Sequence, residues 1–256
     1  MDIRQALENA EKLFPGGKAR YEKILANFYS FFGNAADIHL ISAPGRVEIG
    51  GNHTDHQRGC VLAAAVNLDI MGACAKNGLN EIRILSEGYP LISVSLENLS
   101  VREADRNTSA ALVRGIAEQY GRLYAKNGGP GGAFPPLGFD ACVQSDIPAG
   151  SGVSSSGAFE VFIAACMNHL FFGGKISPEE MAQMGRYAEN IHFGKPSGLM
   201  DQMTCATGGL VFIDFSAGDG APFVKKLRAQ VSGHALCIIE AGDSHEDLTA
   251  DYAAIT

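Results

Sequence analysis

The segment Pro148-Ala149-Gly150-Ser151-Gly152-Val153-Ser154-Ser155-Ser156-Gly157 constrains this 256-residue chain more than any other. A short β-prone stretch, 139–144, runs into it, and an apolar stretch at helical spacing, 154–170, leaves it. The order is strand, glycine-rich turn, helix. Small residues let backbone approach a ligand closely, and a helix starting there adds its positive end, so the turn suits an anion such as phosphate. Gly150, Ser151, Gly152, Val153, Ser154, Ser155 and Ser156 are its candidate phosphate-binding residues. A flexible turn whose serines only cap the helix would carry the same letters. The segment has no lysine, so it is not the lysine-bearing phosphate loop of many nucleotide hydrolases, and it lacks both the dinucleotide glycine spacing and a serine-nucleophile elbow.

Composition narrows the setting. The formal charge of −8 argues against non-specific binding to nucleic acid or to an anionic membrane surface, so any phosphate site must be local. With 46% hydrophobic and 19% charged residues the chain has the make-up of a folded soluble protein, and no apolar run approaches the roughly 18 residues of a membrane span. The cysteines, at 60, 74, 142, 166, 205 and 237, are far apart, which points to reduced thiols rather than a zinc site or disulfide scaffold. The charged, amphipathic N-terminus is unlike a secretory signal, and a cytoplasmic location is expected.

Periodicity predicts helices over 3–14 and 21–32, a strand over 38–43, and a long apolar strand over 60–75 with a loop between the two strands. A hairpin follows over 82–85 and 91–96, then a helix of about five turns marked by Leu112, Val113, Ile116, Tyr120, Leu123 and Tyr124. Residues 127–133 read as a surface loop. A helix over 178–193 is capped by Ser177, with Pro178 next and Glu180 completing a capping box. Strands over 210–215 and 235–240 close the chain. No internal repeat appears, so residues 1–256 are read as one α+β lobe.

Two further constellations carry chemistry. Ala43-Pro44-Gly45-Arg46-Val47-Glu48-Ile49-Gly50-Gly51-Asn52-His53-Thr54-Asp55-His56 packs donors and acceptors between two apolar strands, as a polyhydroxy ligand would require. Ordinary turn histidines and a surface arginine would read the same way. A metal site from His53 and His56 lacks the helical context that such a pair needs. In Glu189-Asn190-Ile191-His192-Phe193-Gly194-Lys195-Pro196-Ser197-Gly198-Leu199-Met200-Asp201-Gln202, the carboxylates of Glu189 at a helix end and Asp201 after a turn are placed to converge. One suits a divalent cation and the other a substrate hydroxyl, although solvated carboxylates would look alike.

Taken in order, APGRVEIGGNHTDH, DIPAGSGVSSSGAFEV and AENIHFGKPSGLMDQ resemble the galactokinases, members of the GHMP family of small-molecule kinases. The resemblance runs from about residue 38 onward. It implies a ribosomal protein S5 domain 2-like α+β lobe with a mixed or antiparallel sheet and helices, a sugar-binding signature at about 38–70 and an ATP phosphate loop at 146–157. It further implies ATP and Mg2+, with Arg46 as active-site arginine and Asp201 as the base that takes the proton of the sugar's anomeric hydroxyl. Ser155 or Ser156 and Glu189 match the magnesium-holding positions, and Asn52, His53, Asp55 and Gly198 match positions at the sugar. The resemblance implies galactose or a close analogue as the substrate, while Glu48, Asn52 and His56 depart from the galactokinase letters and point to a different hexose or an amino sugar as the alternative. The family continues into a second lobe beyond the last residues here, so poor turnover by this chain alone is expected. A catalytically silent sugar and nucleotide sensor, or a family kinase for another substrate such as mevalonate or homoserine, are the competing readings.

Overall fold

A computed structural model describes residues 3–13, 16–126, 137–148, 150–217, 221–228, 233 and 237–239. Helices α1 (Ile3–Leu13) and α2 (Gly17–Phe32) lead into strand β1 (His39–Gly50), which pairs antiparallel with the long strand β2 (Cys60–Lys76). The hairpin β3 (Glu81–Ser86) and β4 (Ile92–Ser95) follows, then helix α3 (Ser109–Lys126) and strand β5 (Phe139–Ser145). Helix α4 (Ser155–Phe172), helix α5 (Pro178–Tyr187), a π-helical turn (Ala188–Phe193), helix α6 (Met200–Thr207) and strands β6 (Leu210–Asp214) and β7 (Phe223–Leu227) complete the order. The α+β class with a mixed sheet is what the sequence predicts, and most of the described pairings are antiparallel.

Strand β2 is the spine. The sheet runs β4-β3-β5-β2-β6-β7, with β1 also paired to β2, and only β3 and β5 run parallel. Seventeen apolar-rich residues let β2 serve three partners: β5 takes residues 70–76 and β6 takes residues 60–64, while β1 spans both halves. Period-2 alternation sorts its side chains. Met71, Ala73 and Ala75 meet Tyr21, Ile24, Leu25 and Phe28 of α2, whereas Ile70 and Cys74 join the larger core beneath α3 and α4. Helix α4 is apolar nearly all round because it is the central helix, buried against β1, α3, α5 and α6. A third cluster joins Met200 and Met203 of α6 to Val61, Ala63, Val211 and Ile213.

Several expectations need correction. Strand β1 does not stop at residue 43 but runs on to Gly50, so Arg46, expected in a loop, stands on a strand. Proline tolerates that place because β1 pairs on one side alone, and the register shifts between Pro44 and Arg46. The helix expected over 178–193 becomes a helix to Tyr187 and then the π turn, with the Ser177–Glu180 capping box present as predicted. Asp201, expected after a turn, lies in the first turn of α6, a short helix the sequence reading passed over, as it did β7. Of the strand expected over 235–240, residues 237–239 carry no strand structure and the rest lie outside the described residues, as does the loop expected over 127–133. Among the described residues no helix is long and apolar enough to cross a membrane.

Candidate active site

Arg46 ties the three sequence constellations together. From β1 its backbone N–H donates to the carbonyl of Val153 at 3.0 Å, and its Nη1 donates to the carbonyl of Gly152 at 2.6 Å. Its Nε and Nη2 reach Asp201 Oδ1 at 2.7 and 2.6 Å. One buried guanidinium therefore fastens the glycine-rich loop and the start of α6 to the sheet. Planar, multi-donor geometry is what an arginine supplies and a lysine does not.

The loop is shaped for close approach. Gly150 and Gly152 hold positive φ of 71° and 72°, which costs little without a Cβ. Ser154 holds a φ of 61° with its own Cβ in place and makes no side-chain cap on α4. Its hydroxyl instead donates to Asp201 Oδ2 at 2.8 Å, so the serine serves the carboxylate rather than the helix end. Ser151 closes the turn by donating to the Pro148 carbonyl at 2.7 Å. Burial raises the Asp201 carboxyl, but the Arg46 charge and hydrogen bond and the Ser154 donor outweigh it, leaving the group below the usual aspartate range. For Arg46, burial pulls down and Asp201 pulls up, and the net shift is upward. Asp201 nevertheless keeps 32% of its side chain exposed.

A second carboxylate stands beside the first. The π turn places Glu189, whose side chain is 5% exposed, so that Ser156 Oγ lies 3.5 Å from its Oε1 and Lys195 Nζ 3.6 Å from the same atom. Of the two serines expected near a cation, Ser156 is the one brought to Glu189, while Ser155 opens α4. Gln202 Nε2 donates to Glu189 Oε2 at 2.8 Å and to Glu160 Oε2 at 2.9 Å. Burial, and then the charge of Glu189, push the Glu160 carboxyl well above its usual range. Hard oxygens on one hydroxyl and one carboxylate fit a magnesium ion that takes its remaining ligands from phosphates and water. Among the described residues no group of three histidine, cysteine or acidic side chains forms an all-protein metal cage.

The turn after β1 supplies the remaining candidates. Asp55 Oδ2 accepts the N–H of Met200 at 3.3 Å, one residue from Asp201. Gly198 is where the chain passes this carboxylate, since a Cβ there would fall 1.8 Å from Asp55 Oδ2. Asn52 and His53 sit at exposed positions with φ of 52° and 58°. Glu48 Oε1 accepts the His53 N–H at 3.0 Å, so this departure from the galactokinase letters holds the turn's own backbone. Sequence reasoning gave no role to Lys195, Glu160 or Gln202. Their only signal was proximity to the motifs.

Residues 26–76 match the galactokinase galactose-binding signature, and residues 109–209 match the GHMP kinases N terminal domain. A galactokinase of Lacticaseibacillus paracasei is 31% identical over 185 residues, 72% of this chain and 45% of its own length. One from Clostridium tetani is 30% identical over 184 residues, 71% of this chain and 43% of its own length. The chain thus spans under half the length of the curated relatives it matches. A galactokinase of Lactococcus lactis solved with galactose superimposes with a TM-score of 0.69 at 20% identity, over 92% of this chain and 60% of that one. A mevalonate kinase of Methanococcus jannaschii gives 0.59 at 16% identity, over 77% and 57%. With that signature and that domain on a fold these kinases share, and with galactokinases 30–31% identical over more than two thirds of its length, the chain belongs to the galactokinase family of GHMP kinases.

Proposed function

We propose that the protein phosphorylates the anomeric hydroxyl of a monosaccharide, galactose or a close analogue, with ATP as the phosphoryl donor. The observation that carries this reading is Asp201, whose side chain is partly exposed and whose carboxylate is held between Arg46 and Ser154 at the edge of the glycine-rich loop. A reaction that consumes ATP suits the cytoplasm. On this reading the described fold is one lobe, with the sugar signature at about 38–70 and the phosphate loop at 146–157, and a second lobe closes the cleft.

The sugar lies against the turn carrying Asn52, His53 and Asp55, with Gly198 lining the pocket. Asp201 accepts the proton of the anomeric hydroxyl as that oxygen forms its bond to the γ-phosphorus, and the bond to the ADP oxygen breaks. The carboxylate is a weak base because Arg46 holds its charge. A loose phosphoryl-transfer transition state asks chiefly for orientation and charge neutralisation, so a weak base suffices. Arg46 and the N-terminal end of α4 carry positive charge toward the transferring group. Ser156, with Ser155 beside it, and Glu189 would hold magnesium. When bound there, that ion neutralises charge on the phosphate oxygens.

Phosphorus NMR with magnesium ATP and a panel of hexoses led by galactose, run beside Asp201→Asn, tests the reading. The expected result is a sugar 1-phosphate signal with the unsubstituted protein and none with the variant. Equal turnover by the variant removes the base. Absence of both turnover and hexose binding overturns the assignment. A silent sensor would bind and never turn over, and it would have no use for a carboxylate held in this way.

A further inference from the structure

The amide of Gln202 is a tightly held buried polar group that has been given no role above. It is fully buried (0% exposed) in the first turn of α6, and its two N–H donors meet two carboxyl groups from two other elements, Glu160 of α4 and Glu189 of the π turn. The opposite amide orientation would set a carbonyl oxygen against both carboxyl groups, so the donors must point this way. Glu160 is also fully buried, and the space around it is closed, since a Cβ on Gly185 would fall 2.9 Å from its Oε2. Among the described residues, Glu160 Oε1 and Gln202 Oε1 are both buried without a hydrogen-bond partner. So costly an arrangement needs a reason beyond stability, because apolar residues of the same shape would fill the space without unpaired polar atoms.

We propose that Gln202 is the positioning residue for Glu189: it occupies Glu189 Oε2 and turns Oε1 toward Ser156, so that one carboxylate oxygen is presented to a divalent cation. The assignment rests on the proposed function. Glu160 is the anchor on the far side, its carboxyl keeping the amide plane from rotating. Because Gln202 follows Asp201 directly on α6, one short helix sets both the carboxylate that meets the sugar hydroxyl and the orientation of the one that meets the cation. Partners that orient a ligating carboxylate typically change metal affinity by 10–100-fold when removed.

The probe is Mn2+ in place of magnesium, titrated into the full chain with the non-hydrolysable ATP analogue AMPPNP and followed by electron paramagnetic resonance. Gln202→Leu keeps the side chain's bulk and removes both donors. It is expected to weaken Mn2+ at least tenfold and to alter the hyperfine pattern of the bound ion. AMPPNP affinity in EDTA and the circular dichroism spectrum of the folded chain are expected to stay close to those of the unsubstituted chain. If Gln202→Leu fails to fold, Gln202→Met carries the test, since it keeps the length of the side chain without charge and lacks the amide donors, and the same weakening is expected. Mn2+ affinity within twofold of the unsubstituted chain overturns the positioning role while leaving the proposed function in place. Failure of the unsubstituted chain to take up Mn2+ with AMPPNP overturns both.

Discussion

At the scale of single residues, opposing electrostatic effects decide behaviour. Asp201 titrates below its ordinary value of 3.8, so it is ionised throughout the neutral range. Its folded pKa is the depressed one, so its contribution to stability is complete above about 4 and is lost as pH falls through the folded value. The rate profile of sugar phosphorylation should therefore show no loss from Asp201 between pH 6 and pH 9, checked by kcat/KM against pH. Asp201→Asn should lower kcat by about a thousandfold, the usual range for a general base, while ATP binding by calorimetry is retained. It should also cost about 3–5 kcal/mol in urea unfolding, because Arg46 stays buried with its counter-charge gone. Glu160 has the reverse sign: its folded pKa is raised, so the stability it brings is present at low pH and drains as pH rises through the folded value. Glu160→Gln, which matches the protonated acid in shape, should thus become the more stable form as pH rises. The gap should widen by at most about 1.4 kcal/mol per pH unit, read from urea midpoints at a series of pH values.

At the scale of elements, the π turn is the feature that most depends on its neighbours. It packs on α3 where Gly115 leaves no room for a side chain, a Cβ there lying 2.6 Å from Ala188 Cα and 3.0 Å from the His192 ring. His192, 1% exposed, is held by Glu118 Oε2 at 2.8 Å, and Tyr187 donates to the same oxygen at 3.0 Å. Gly115→Ala should therefore cost about 1–3 kcal/mol by overpacking and push Glu189 away from Ser156, seen as weakened Mn2+ binding in the presence of AMPPNP. Ser177→Ala is the contrasting case. It removes the capping box of α5 for about 1 kcal/mol and should leave Mn2+ binding unchanged. The capping box was readable because it is local: serine, proline and glutamate fall at fixed offsets. The π turn was not readable, because its apolar spacing continues that of α5 and the extra residue is accommodated only by contact with α3.

At the scale of the whole molecule, the site is a junction between the sheet and the helices laid on it. Phe162 of α4 is fully buried (0%) and packs against the backbone of β2 at Gly72. Phe162→Ala should cost about 3–5 kcal/mol in chemical unfolding, and fluorescence and circular dichroism transitions should stay coincident because one core is lost as a unit. The glycine-rich loop, the turn of Asn52, His53 and Asp55, and the segment carrying Glu189 and Asp201 were each legible from the letters, because their residues are neighbours along the chain. The sequence by itself determined the α+β class, most strand and helix positions, and which segments hold the polar residues, since period, caps and glycine turns are short-range properties. Only the tertiary structure decided that Arg46 stands on a strand and joins the loop to Asp201, that Ser154 serves that carboxylate rather than capping α4, and that Gln202 binds Glu160 and Glu189. A glutamine beside an aspartate on a short helix reads as a surface residue. It becomes a buried bridge because α4, α6 and the π turn, separated along the chain, close around the same few ångströms and exclude water from its amide.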